Sequence, residues 1–322
     1  MSSDLLISVT NLYRHYDTLQ AVHDVSFELR RGEVLGFLGP NGAGKSTTMQ
    51  IITGNLAPSS GQIKICDIDL LDAPRAAKAR IGYLPEQPPL YRELSVDEYL
   101  IFCARLNRIP KARQTAALDR AKQRCGLQQV GRRLINNLSK GYQQRVGIAQ
   151  AIIHSPDIVV LDEPTVGLDP IQIREIRHLI RELAEDHAVI LSTHILPEVQ
   201  MTCSRVQIIN QGRLVFSDDI ESLNRSMRAC SLILGLKNAP ANMNELGSVA
   251  GVESVEALED SRWRIHHPED QSPATNIAEL AVKNDWGLIE LSPETRSLEQ
   301  IFLDITATEQ TLPDTNKEGQ AA

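Results

Sequence analysis

The sequence predicts an α/β chain with a mostly parallel core sheet, followed by a smaller α+β unit of ferredoxin-like order. Three observations predict it. Short apolar strands alternate with helical stretches through the first two thirds of the chain, a glycine-rich loop at Gly39–Gly44 separates one such strand from a helix, and beyond Asp218 the order changes to β-α-β-β-α-β.

The elements justify this in turn. The runs LLISVTNL, VHDVSFEL and QIKI are rich in β-branched residues and surround EVLGFLGPNGAGKSTTMQIITG, which reads as strand, glycine loop and helix. From Leu94 to about Gly126 the pattern is helical. In LSKGYQQRVGIAQAIIH, Ser139 is placed to cap a helix whose apolar face carries Val146, Ala149, Ile152 and Ile153. The strand DIVVLD, a helix from about Ile171 and the strand AVILST follow. Ser217 to Met227 is polar enough to mark a boundary. Beyond it, strands are expected near Ser231–Leu236, Val252–Ala257, Arg262–His266 and Gly287–Leu291, with helices near Ala241–Leu246, Pro273–Asn284 and Leu298–Ile305. The expected organisation is a first domain over residues 1–222, an accessory α+β domain over 227–307 and a polar tail, 308–322, too poor in apolar residues to order itself.

The 322 residues suffice for two domains, and 42% hydrophobic with 23% charged residues is ordinary globular composition. A formal net charge of -8 without a Lys/Arg block argues against a nucleic-acid partner. The five cysteines are scattered with no CxxC pair, which points to single thiols rather than a metal cluster. The N-terminus lacks a basic start followed by an apolar run, and nowhere do about 18 consecutive apolar residues occur. Any membrane role is therefore expected to come through a partner.

GPNGAGKST fits the pattern G-x-x-x-x-G-K-[ST] between a strand and a helix. Its loop and first helical turn, Gly39, Asn41, Gly42, Ala43, Gly44, Lys45, Ser46 and Thr47, are the expected nucleotide-binding residues. Bare glycine backbone lets N–H groups wrap phosphates, Lys45 reaches the β- and γ-phosphates of ATP, and Ser46 offers a hydroxyl to Mg2+. The acids that end IVVLDEP divide the remaining work: Asp162 would hold the metal, and Glu163 would orient or deprotonate the attacking water. An acidic pair at a strand end is by itself more often a cap or a solvated turn, and the loop upstream is what tips the reading.

Residues 5 to about 216 resemble the ATP-binding cassette of ABC transporters. The phosphate loop, LSKGYQQR (Leu138 to Arg145), VVLDEP, VGLD (Val166 to Asp169) and STH (Ser192 to His194) follow the family's order. The resemblance implies a parallel core sheet with an antiparallel β subdomain and a helical subdomain. It implies two chains sandwiching two ATP molecules head to tail, so that Ser139 and Gly141 complete the site of a facing copy. It further implies that His194 contacts the γ-phosphate, that Asp169 links the two sites, and that Tyr16 stacks on adenine. The signature departs from LSGGQ at Lys140 and Tyr142, while keeping Ser139 and Gly141. Glu86, not Gln87, falls where the family usually carries glutamine, and a carboxylate there suits Mg2+.

YLPE followed by PLY, LSKGYQQR, STHILPEV and SLEQIFLDIT look like cassettes that partner ABC-2-type permeases. The resemblance implies an ATPase that drives a separately encoded integral membrane permease, in the direction of export. It would lie in the cytoplasm, held to the inner face of the plasma membrane by that permease, which would dock around Pro88 to Tyr99. The alternative is a soluble ABC-type ATPase acting on ribosomes or DNA. That class tends to carry two cassettes or long coiled coils, and neither a sustained heptad pattern nor a basic surface is present here. The accessory unit reads as a packing or dimer-contact module rather than a regulator-binding one, because it carries no glycine-rich anion loop or ligand-like cluster. His266 and His267, being adjacent on a strand, would face opposite sides and form no metal pair.

Overall fold

The computed structural model describes residues 4–222, 228–238, 244–259, 261–268 and 271–295. The expected helix at Leu298–Ile305 and the tail at 308–322 lie outside the described residues. The chain divides into two compact units, Met1–Ile220 and Glu221–Ala322.

The first unit is built on a six-stranded sheet in the order β10-β9-β3-β8-β7-β6. Its strands are β3 (Val34–Leu38), β6 (Ile81–Leu84), β7 (Ile158–Asp162), β8 (Ala188–Thr193), β9 (Arg205–Asn210) and β10 (Arg213–Asp219). The first five run parallel and β10 closes one edge antiparallel. β3, β7 and β8 are buried along their whole length, as strands covered on both faces must be, which explains their unbroken apolar runs. A second, antiparallel sheet is ordered β2-β1-β4-β5, from β1 (Leu5–Tyr16), β2 (Leu19–Arg30), β4 (Ser60–Ile65) and β5 (Ile68–Asp69). Its inward residues Ile7, Val9, Val25, Leu29, Ile63 and Ile65 share one apolar cluster with Phe37, Val160 and Ile190 of the parallel sheet and with Met49, Ile51 and Ile52 of helix α1 (Lys45–Ile52).

The stretch expected to be helical from Leu94 to Gly126 is two helices, α3 (Val96–Leu106) and α4 (Lys111–Cys125), following the short helix α2 (Pro74–Lys78). The break has a local cause. Arg108 takes φ +57°, and Pro110, which has no N–H to donate, stands as the N-cap of the second helix. Ser95 and Glu98 form a capping box at the start of α3. Helices α5 (Lys140–Ile152), α6 (Pro170–Leu183) and α7 (Leu196–Thr202) complete the unit.

The division at Ile220/Glu221 falls within the polar stretch Ser217–Met227, whose first residues, Ser217 to Asp219, still belong to β10 and pair with Gln207, Val206 and Arg205. The second unit holds a four-stranded antiparallel sheet from β11 (Arg228–Leu236), β12 (Ser254–Ala257), β13 (Arg262–His266) and β14 (Leu288–Thr295), in the order β12-β13-β11-β14. That is the strand order of a β-α-β-β-α-β ferredoxin-like unit. Leu232, Leu234, Trp263, Ile265, Ile277 and Trp286 form its own core. The second expected strand begins at Ser254 rather than Val252, and of the helix expected at Ala241–Leu246 the described part is Asn244–Gly247.

Candidate functional site

Parallel strands bring their following loops to one edge of the sheet, and register decides which residues meet there. Leu38 of β3 pairs with Thr193 of β8, and Asp162 of β7 pairs with Ser192. The glycine loop, the acidic pair and the Ser192–His194 stretch therefore all emerge at the carboxyl ends of neighbouring strands. The cleft above them has a volume of about 960 Å³. Of the residues singled out from the sequence, Tyr16, Asn41, Gly42, Gly44, Lys45, Ser46, Thr47, Glu86, Glu163 and His194 line it.

The loop needs its glycines for space as much as for φ. Gly44 lies at φ +103°, and a Cβ on it would sit 2.4 Å from the Ala21 carbonyl oxygen. A Cβ on Gly39 would come within 2.4 Å of the Ile209 carbonyl. Gly39 and Ala43 do not line the cleft: Ala43 packs into the core and accepts a bond from Gly212 N–H, and the Gly39 carbonyl accepts from Lys45 Nζ at 2.8 Å. Helix α1 begins without a side-chain cap or an acid in its first turn, so its positive end faces the cleft uncompensated.

Lys45 is 5% exposed and Glu163 6% exposed, with Nζ and Oε1 3.5 Å apart. Glu163 holds φ +49°, an uncommon conformation for a residue with a side chain, and its N–H donates to the Ser192 carbonyl at 2.9 Å. His194 Nδ1 stands 2.9 Å from Glu163 Oε2 and 3.0 Å from Oε1, while the ring remains 42% exposed toward the cleft. The cleft thus presents a carboxylate in contact with both a cation and an imidazole.

Asp162 sits beneath this group, 2% exposed. Burial pushes its carboxyl up from the ordinary aspartate range, opposed by the hydroxyls of Ser192 and Ser46, with the charges of Glu163 and Glu86 adding to the rise. Its Oδ1 has no hydrogen-bond partner. An orphaned buried carboxylate oxygen beside a serine hydroxyl, with a second carboxylate nearby, is a donor set that fits Mg2+. No group of three or more His, Cys, Asp or Glu side chains able to hold a metal is found among the described residues. Mg2+ usually keeps several waters and takes one or two carboxylates together with substrate phosphates rather than an all-protein cage.

Tyr16, 41% exposed, carries the Arg14 guanidinium 4.5 Å from its ring centroid. Gln211 and Gly212, which also line the cleft, were not singled out from the sequence. They form the tight turn between β9 and β10 with φ +47° and +81°, and the Gln-Gly dipeptide between two apolar runs is the signal that could have found them.

Ser139, Gly141 and Asp169 lie away from this cleft and near one another. Ser139 caps α5, accepting from Tyr142 N–H at 3.4 Å, and that helix also lacks an acid in its first turn. Asp169 caps α6, with Oδ1 accepting from the Ile171 and Gln172 N–H groups at 3.0 and 2.9 Å. The two helix starts touch: a Cβ on Gly141 would meet Gln172 Oε1 at 2.6 Å, and one on Gly167 would meet the Lys140 ammonium at 2.1 Å. Of these two helix N-termini, that of α1 borders the cleft and that of α5 does not.

Residues 22–166 match the family described as ABC transporter. The chain is 34% identical over 301 residues to the uncharacterized ABC transporter ATP-binding protein YxlF of Bacillus subtilis, covering 93% of this chain and 99% of that protein. It is 32% identical over 303 residues to the bacitracin transport ATP-binding protein BcrA of Bacillus licheniformis, covering 93% and 97%. Among solved structures, an ATP-binding subunit of an ABC transporter superposes with a TM-score of 0.62 at 32% identity, covering 69% of this chain and 92% of that one.

Proposed function

This chain belongs to the ATP-binding subunits of ABC transporters and is an ATPase, and from that premise we propose that two copies close on ATP to drive a separately encoded ABC-2-type permease in export. Relatives named for bacitracin transport and linearmycin resistance support the direction. No helix among the described residues is long and apolar enough to cross a membrane, which supports a path supplied by a partner. The working place is then the cytoplasmic face of the membrane.

In the cleft, the open start of α1 and the loop N–H groups bind the phosphates, and the Lys45 ammonium moves from the Gly39 and Pro40 carbonyls onto the β- and γ-phosphate oxygens. The ring of Tyr16 stacks against the adenine. Ser46, Asp162 and Glu86 would hold Mg2+, which when bound neutralises and orients the β- and γ-phosphate oxygens. Glu163 takes the proton of the attacking water, and His194, hydrogen-bonded to that carboxylate, contacts the γ-phosphate. Ser139 and Gly141 offer the second open helix start to the γ-phosphate bound by the facing copy, and Asp169 couples the two sites. These assignments fit a head-to-tail dimer, in which each chain's second anion-ready helix serves its partner's nucleotide.

The observation that carries the catalytic assignment is the placement of Glu163: buried, held at a strained φ, and touching both Lys45 and His194. Glu163→Gln is expected to keep ATP binding and lower turnover by at least about 100-fold, within the range general-base removal costs, leaving a stable ATP-bound dimer measurable by gel filtration. A variant that turned over at half the wild-type rate would rule Glu163 out as the main base. Pull-down of Glu163→Gln with ATP from detergent-solubilised membranes tests the transport reading, since recovery of only ribosomal or DNA-associated proteins would overturn it.

A further inference from the structure

Glu198 has no place in the chemistry described so far, yet it is among the most completely buried charged groups of the first unit, 1% exposed. A carboxylate taken out of water at such cost must be held by partners. Its partners come from two different loops. Thr165 Oγ1 donates to Oε1 at 2.6 Å, and Thr193 Oγ1 donates to Oε2 at 3.0 Å. The Arg177 guanidinium from α6 lies 3.8 Å from Oε1 and supplies the compensating charge. Thr193 Oγ1 also accepts from Ile195 N–H at 3.1 Å, which fixes the backbone on the far side of His194.

The positions of the two threonines matter more than their number. Thr165 is two residues beyond Glu163, and Thr193 immediately precedes His194. The Glu163–His194 contact in the cleft is thus one rung, and the Thr165–Glu198–Thr193 bridge, buried behind it, is a second rung between the same two loops. The Glu163 N–H bond to the Ser192 carbonyl adds a backbone tie between the same stretches at 2.9 Å. One carries a carboxylate residue at φ +49°, a conformation that persists only when its surroundings over-determine it. The other leads into the seven-residue helix α7 through an uncapped residue, Ile195.

We propose that Glu198 is a positioning residue for hydrolysis: its buried carboxylate ties the loop bearing Glu163 to the loop bearing His194 and thereby sets the approach of both to the γ-phosphate. Glu198 is not among the residues that line the cleft. It acts through the backbone on either side of the two groups that do, and this inference rests on the catalytic assignment of Glu163 and His194. A shift of about 1 Å in a reacting group costs on the order of 100-fold in rate, so a tie at this point governs turnover more than binding, to which the glycine loop and Lys45 contribute from elsewhere.

The test is ATP hydrolysis by the full-length chain, with kcat and KM determined separately for wild type, Glu198→Ala, His194→Ala and the double variant. Glu198→Ala is expected to lower kcat by about 10- to 100-fold with KM for ATP within about threefold, and to cost less once His194 is already alanine, where only the Glu163 loop is left to misplace. Thr165→Val and Thr193→Val, which each remove one hydroxyl and keep the volume, are expected to lower kcat in the same sense. They decide the matter if Glu198→Ala does not fold. An unchanged kcat in the threonine variants, or an equal fold-loss from Glu198→Ala with and without His194, would overturn the proposal. Glu163→Gln in the same assay separates the two claims. If it abolishes turnover while the Glu198 series does not, the catalytic assignment stands and the positioning role falls.

Discussion

Asp162 and Glu163 are neighbours in the chain, both buried but held by different partners. Glu163 faces the cleft and is held by a cation and an imidazole, whereas Asp162 lies under it with one oxygen unpaired and its carboxyl pushed up by burial. A carboxyl whose folded pKa is raised costs stability above that pKa, where it is charged, and costs nothing at low pH, where it is protonated in both states. At neutral pH and without metal the whole cost is present. Asp162→Asn should therefore raise the melting temperature of the nucleotide-free, metal-free protein, by about 2–4 °C for each kcal/mol recovered. It should also remove the extra protection that Mg2+ adds to ATP in the same thermal scan. A variant melting at or below wild type without metal would show that burial of this charge is not the cost described. That the two acids stand at the cleft was legible from their place at a strand end after the glycine loop. Glu198 was not, because nothing near it in sequence marks it: its meaning lies in two threonines 33 and 5 residues away that only the fold brings together.

At the scale of elements, the ends of β6 and β7 are tied by two histidines. His154, just past α5, bonds through Nε2 to the Ile81 carbonyl at 3.2 Å, and His187, just before β8, bonds through Nδ1 to the Pro156 carbonyl at 2.6 Å. Burial lowers both below the ordinary imidazole value, the hydrogen bonds opposing it. Groups with a lowered folded pKa bind protons more readily when unfolded, so stability is full above about pH 6.5 and falls as pH drops through the folded values, by up to about 1.4 kcal/mol per pH unit for each histidine. Melting temperature followed from pH 7.5 to 5.5 should fall for wild type and fall less steeply for His154→Gln with His187→Gln. Equal slopes would remove the histidines as the cause. The strands themselves were easy to read, since buried parallel strands are uninterrupted apolar runs. The break between α3 and α4 was missed because Arg108–Pro110 interrupts only the backbone, leaving the apolar spacing on either side intact. The turn at Gln211–Gly212 escaped for a different reason: as a hairpin it was visible, but its approach to Gly44 across Ala21 depends on how the two sheets face each other.

At the scale of the molecule, the proposed head-to-tail dimer requires each chain to supply two half-sites rather than one whole site. Its cleft holds Lys45, Ser46, Glu163 and His194, and its second open helix start, with Ser139 and Gly141, lies apart against the loop of Asp169. If the second set served its own nucleotide, damage to either set would be damage to the same site, and no mixture of two damaged chains could recover. If it serves a facing copy across a two-fold axis, each site takes its cleft from one chain and its second helix from the other. Lys45→Ala removes the phosphate point charge from one half, and Gly141→Asp sets a carboxylate at the anion-ready helix start of the other. Each variant alone should be inactive. Mixed in equal amounts and allowed to exchange, half the dimers should pair one of each, and every such dimer has one site damaged twice and one site intact. Independent sites would then restore about a quarter of the wild-type ATPase rate. Sites that must fire together would restore less, down to zero. The two cases separate on ATP binding, because the intact composite site should still trap nucleotide when the mixed dimer is made with Glu163→Gln in the Gly141→Asp chain. Trapping without turnover would mean coupled sites, whereas no trapping at all would place Ser139 and Gly141 outside the nucleotide's reach.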